Sequence, residues 1–157
     1  MNRRIGTMVG LASACVVGAT VFLGVSASVD SGGLVVGWTE TGLPKTETPF
    51  AYSVSAKATA TYGCFTKSGK NPADKAKRVV FTAEVMQKMM IQSVTGGTVR
   101  AKARLGIPPV QDRLSCPPGL TARLSSVSYT NVTVRNHTMG TNLKVLGMYA
   151  KTFLELK

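Results

Sequence analysis

The side chains with most chemistry to offer in this sequence are two cysteines, one histidine and three cations at alternate positions. Cys64 and Cys116 remain as a pair once Cys15 is set aside with the N-terminal leader described below. Two cysteines in an exported chain most simply form one disulfide, because the compartment beyond the membrane is oxidising. Closing a loop of about 50 residues stabilises by roughly 4 kcal/mol if the bridge acts on the unfolded chain. The pair has no company as metal ligands, since His137 is the only histidine and zinc sites draw on four such donors. No metal and no cofactor is expected.

Arg100, Lys102 and Arg104 alternate with Val99, Ala101, Ala103 and Leu105. On a strand, residues i, i+2 and i+4 project to one face, about 6.5–7 Å apart per step of two. The pattern therefore predicts an exposed cationic line backed by an apolar one. Lys67 and Lys70 lie in a second basic stretch, Phe65 to Lys77, around Ser68-Gly69-Lys70-Asn71-Pro72. These five cations are the candidate anion-binding residues. The competing reading is a solvated outer face that keeps a strand soluble and blunts edge pairing.

Catalytic equipment is sparse, and no catalytic residue is expected. A serine or cysteine nucleophile needs a base, and His137 sits in the polar turn Asn136-His137-Thr138. The carboxylates Asp30, Glu40, Glu47, Asp74, Glu84, Asp112 and Glu155 are dispersed, and no segment sets two on one face. Phosphate-binding glycine loops and zinc spacings are absent from the sequence.

The first 27 residues read as an export leader. Asn2-Arg3-Arg4 is a short positive start, Ile5 to Val25 carries no charge, and Val25-Ser26-Ala27 closes in the small-x-small manner of a cleavage site before Ser28. A retained membrane anchor is the alternative, since about 20 uncharged residues can span a bilayer. Gly6, Gly10, Gly18 and Gly24 make the run weakly apolar and favour cleavage. Arg3 and Arg4 then leave, taking the 19 basic residues to 17 against 7 acidic ones, a net charge of +10. Such a balance attracts anionic surfaces and says nothing about fold.

Residues 28–49 read as an N-terminal arm and 50–157 as the folded domain. Leu34, Val35, Val36 and Trp38 form a short apolar run, followed by loop-like Thr, Glu, Gly and Pro from Thr39 to Pro49. The run is either a first strand along a sheet edge or an arm that docks on a partner by strand addition. On the second reading these four residues are the candidate partner-binding set.

Phe50, Tyr52, Val54, Ala56, Ala58, Ala60, Tyr62 and Cys64 fall on one face of a long period-two strand. Its three successive alanines imply that a facing element approaches closely. Arg78 to Ser93 supports helix or strand, and its β-rich start together with Gly96-Gly97 before the next strand favours strand. Met86, Met89 and Met90 read as core filling. Leu120 to Val134 is β-rich with a shifting phase, which predicts one or two bulges, and Leu143 to Phe153 supplies a last strand. About seven strands and one disulfide give an all-β chain, an antiparallel β-sandwich of immunoglobulin-like size. The immunoglobulin signature itself is missing, because no tryptophan lies between Cys64 and Cys116.

The stretch Ala56-Lys57-Ala58-Thr59-Ala60-Thr61-Tyr62-Gly63-Cys64, the loop Gly69-Lys70-Asn71-Pro72, and Cys116-Pro117-Pro118-Gly119 before Ser126-Val127-Ser128-Tyr129-Thr130-Asn131-Val132 resemble small uncharacterised secreted proteins of high-GC Gram-positive bacteria. The resemblance covers most of the chain after the leader. It implies export, the disulfide and a β fold, and brings no activity, cofactor or catalytic residue. Two functions fit these features. One is a secreted, non-catalytic protein-interaction module or small subunit of an extracellular assembly, bound to a protein partner through the arm. The other is a cationic binder of anionic envelope polymer or another polyanion. Nucleic acid is disfavoured, because no aromatics interleave with the charges to stack bases.

Overall fold

The computed structural model describes residues 19–71, 77–92, 96–110 and 114–156. The positive start of the expected leader, Pro72 and Asp74 of the basic loop, and Asp112 lie outside the described residues. Eight strands and no helix form within them: β1 Val21–Asp30, β2 Gly33–Thr41, β3 Phe50–Phe65, β4 Arg78–Ile91, β5 Thr98–Leu105, β6 Thr121–Asn136, β7 Thr141–Val145 and β8 Tyr149–Thr152. Sheet A runs β1-β2-β5. Sheet B runs β4-β3-β6-β7, with β8 also on β6, and every pairing is antiparallel. The two sheets face each other as a sandwich, which is the expected fold class with one strand more than expected.

The alternation of β3 sets the core. Its eight predicted inward residues are all buried, and the most exposed of them, Tyr62, stands at 8%. Leu34, Val36, Trp38, Val99, Ala103 and Leu105 of sheet A close over them. The small Ala56, Ala58 and Ala60 suit a close approach, and the backbones of β3 and β5 come within 8 Å across the sandwich. Facing sheets more commonly lie about 10 Å apart.

Phase shifts in β6 take the form expected of them. Its register against β3 slips twice, between Ser55 and Lys57 and between Thr61 and Tyr62. At the first slip Asn131 has a positive φ of 54°, a conformation asparagine tolerates better than most residues. The last predicted strand is broken at Leu146-Gly147-Met148 into β7 and β8, both of which pair with β6. Residues 78–91 are a strand, as favoured. Its methionines divide, however: Met89 packs against the core, whereas Met86 and Met90 are each 60% exposed. Period two explains the difference, since Met89 lies opposite the inward Tyr52 while Met86 and Met90 lie opposite the outward Ser55 and Ala51.

The arm between 28 and 49 is corrected by the structure. β2 pairs along its whole length, with β5 on one side and β1 on the other. Leu34 and Val36 are fully buried and Trp38 is 3% exposed. A strand committed to the core on one face and to two neighbours in-plane cannot serve as a free docking arm. The segment is an integral strand, extended by Thr39, Glu40 and Thr41 beyond the expected end. The outer neighbour β1 was not expected at all, because Val21 to Ala27 reads as leader.

Candidate functional site

β5 presents its cations as the spacing predicts. Arg100, Lys102 and Arg104 are exposed, while Val99, Ala103 and Leu105 are buried on the opposite face and Ala101 is half-buried. Across the sheet, Arg100 lies opposite Thr39 and Lys102 opposite Gly37. One strand further, Thr39 lies opposite Gly24 and Gly37 opposite Ser26. Those residues line a shallow groove of about 580 Å³ on the outer face of sheet A. Gly37 makes its floor: a Cβ there would stand 2.9 Å from Ser26 Oγ, closer than real Cβ contacts. The groove thus has a cationic wall, a glycine floor and hydroxyls at Ser26 and Thr39, a set suited to anionic oxygens.

The row is not uniform. Arg104 donates to Asp30 Oδ1 in the only ion pair among the described residues. The Asp30 carboxylate also accepts from the Gly32 backbone N–H at 2.7 Å. The Arg104 hydrogen bond first, and that backbone donor second, hold the Asp30 carboxyl down at about 2. Arg100 and Lys102 have no acidic partner among the described residues. Attraction to an external anion therefore rests on those two. Lys67 and Lys70 are exposed but stand in the turn after β3, in the other sheet, where Gly69 approaches Arg123. The structure separates them from the row. On the outer face of sheet B, Lys57 lies directly opposite Glu84, so that face carries its own counter-charge.

Three features were not foreseen. Glu40 is fully buried. It accepts from Tyr52 Oη at 2.7 Å, Asn136 Nδ2 at 3.0 Å and Thr141 Oγ1 at 2.8 Å, with no cation in the set. Burial, and then its bond to Glu40, push the Tyr52 hydroxyl well above the usual phenol range. The knot ties sheet A to sheet B beside the tilted Trp38–Tyr52 ring pair, whose centroids lie 5.6 Å apart.

The second feature is a contact of 2.8 Å between Ser53 Oγ and His137 Nε2. Ser53 is 5% exposed and sits in mid-sheet, with Lys88 and Arg135 as its neighbours on the two flanking strands. Its backbone is thus committed to the ladder rather than to an oxyanion, and no carboxylate is bonded to His137 among the described residues. The third is a pair of tyrosines. Tyr62 donates to the Pro108 carbonyl at 2.7 Å and Tyr129 to the Gly106 carbonyl at 3.1 Å, clamping the chain as it leaves β5. Burial raises both hydroxyls, Tyr129 to about 12.

Cys64 and Cys116 are joined, with sulfurs 2.02 Å apart, and the bridge fixes the crossing from β5 to β6 against β3. No group of three or more potential metal ligands and no helix long and apolar enough to cross a membrane occurs among the described residues. Comparison with protein families, curated proteins and solved structures found no match.

Proposed function

We propose that this chain is an exported, non-catalytic binding protein whose target is an anionic polymer of the cell envelope, held on the outer face of sheet A. The observation that carries the reading is the exposed pair Arg100 and Lys102, which lie beside Thr39 and Gly37 of β2, all of them retained after the leader, and have no acidic partner among the described residues. The net charge left after the leader acts in the same direction by drawing polyanions to the surface. Export is supported by the leader pattern, by the resemblance to secreted proteins and by the disulfide. Docking through a free arm loses its basis, because Leu34, Val36 and Trp38 are core residues.

Retention on immobilised polyphosphate tests the reading, with polyglutamate as a carboxylate control. Two engaged cations lower affinity roughly tenfold between 50 and 200 mM salt. Arg100→Gln with Lys102→Gln is expected to abolish retention and leave the melting temperature unchanged, since neither side chain is buried. Arg104→Gln is expected to have little effect on retention, because that charge is already matched. Retention unchanged in the double variant would return the row to edge protection and end the proposal.

A further inference from the structure

β1 occupies a place that the exported chain leaves open. Val21 to Ala27 pairs with Val36 to Thr41, and Ser28 to Asp30 pairs with Gly33 to Val35. Cleavage after Ala27 removes the first group and keeps the second. One side of β2 from Val36 to Thr41 is then unpaired, and the groove loses Gly24 and Ser26 from its floor. Trp38 and Val36 lose the Val25 and Ala27 that lie beside them. Gly33 to Thr41 contains neither lysine nor proline, and its one charged residue, Glu40, is already held by donors of sheet B, so the outward positions Gly37 and Thr39 carry no charge against a pairing strand.

We propose that the leader-free chain pairs this edge with the same edge of a second copy, giving one continuous sheet in the order β5-β2-β2-β5. The inference rests on the export reading and on cleavage after Ala27. A strand placed on its own copy about a two-fold axis is necessarily antiparallel, and antiparallel is the sense in which β1 sits there. With core faces aligned, the outward residues of the second β2 are again Gly37 and Thr39. They restore a glycine and a hydroxyl where the leader supplied Gly24 and Ser26. The second β2 also brings its own Val36 and Trp38 to the side of the core that the leader covered.

Charge permits this arrangement. The two cationic rows stand three strand spacings apart, about 14 Å, which exceeds the screening length of about 8 Å at physiological salt. They flank one symmetric groove with a cationic wall on each side. An anionic chain laid along it meets Arg100 and Lys102 twice, so a dimer doubles the salt slope of binding. The fall between 50 and 200 mM salt then becomes roughly a hundredfold instead of tenfold.

The experiment expresses the full chain in a secreting host and sequences the N-terminus of the protein in the medium. Its mass is then measured by light scattering without any polyanion. The expected result is a start at Ser28 and twice the chain mass. A synthetic peptide of residues 20–30 is expected to split the dimer and shift the fluorescence of Trp38, the only tryptophan. Thr39→Lys is expected to give a folded monomer with the far-UV CD spectrum of the parent and a melting temperature that no longer rises with protein concentration. A Ser28-started protein that stays monomeric at its solubility limit overturns the proposal, and does so even if it captures the peptide. Persistence of the dimer in both the peptide and the Thr39→Lys arms places the contact elsewhere and also overturns it. Secreted protein that retains Val21 to Ala27 overturns it as well, because β1 then keeps the edge of β2. A dimer that ignores polyphosphate upholds this inference and sinks the binding reading instead.

Discussion

The two ends of the sandwich are fastened by different chemistry. At one end Glu40 is buried among three neutral donors, from Tyr52, Asn136 and Thr141, that reach it from sheet B. At the other end the Cys64–Cys116 bridge, the Tyr62 and Tyr129 hydrogen bonds to Pro108 and Gly106, and the exposed Asp30–Arg104 pair hold the exit of β5. Gly33 completes that second end: it has a φ of 129°, and a Cβ there would stand 2.0 Å from the Leu105 carbonyl oxygen. The Glu40 end acts in the folded state, where an acceptor lost is a buried donor left unpaired. The bridge acts largely on the unfolded chain, where it removes conformations. One end therefore depends on geometry, the other on connectivity.

Breaking the bridge is the largest expected effect. A loop with a sequence separation of 52 residues corresponds to about 4 kcal/mol in the chain-entropy account. Urea denaturation with and without reductant measures it, and labelling of denatured, unreduced protein should find almost no free thiol. Two labelled thiols per chain would show that this end is not covalent. The next effect is at the opposite end. Glu40→Ala removes the acceptor of Tyr52 and of Thr141 and one of the two acceptors of Asn136 Nδ2, and is expected to cost about 3 kcal/mol. Glu40→Gln keeps the shape and one acceptor, and is expected to cost about 1 kcal/mol. A loss below about 1 kcal/mol for Glu40→Ala would mean that water or rearrangement serves those donors. The contrast between the two ends would then collapse.

The sequence made one end far more legible than the other. Cysteine arithmetic alone located the bridge, and the period of two in β3 and β5 gave every inward residue and the cationic row. Those signals are local, because alternation within one strand depends only on that strand's own two faces. The Glu40 knot had no local signal. Glu40 lies in a stretch of Thr, Glu and Gly with loop composition, and its partners Asn136 and Thr141 are 96 and 101 residues away. Strand order is equally non-local. The apolar run from Leu34 to Trp38 left a first strand and a docking arm both open and gave no sign that two strands would flank it, and β1 was hidden in residues whose composition reads as an export leader. The methionines were misjudged for a related reason. Met86 and Met90 fall on the outward phase of β4, on the face of sheet B that no second layer covers, and a run of closely spaced methionines gives no sign of that phase.

The smallest effect sharpens the comparison at the tyrosine and disulfide end. Asp30 and Arg104 form an exposed pair, and a pair in solvent adds little to stability. Its signature is a titration. The Asp30 carboxyl is held at about 2 against an ordinary 3.8, so the folded state binds this proton less readily than the unfolded state. Whatever stability the pair adds is present above about pH 4 and is lost as pH falls from there toward 2. Carboxyl resonances followed by NMR should place the Asp30 midpoint near 2, and Arg104→Gln should move it up toward 3.8. The Gly32 N–H still donates to Asp30 in that variant, which keeps the recovery incomplete. A midpoint near 3.8 in the unsubstituted protein would mean that Arg104 is not engaged. The row would then hold three unmatched cations, and Arg104→Gln would weaken polyphosphate retention as much as loss of either neighbour.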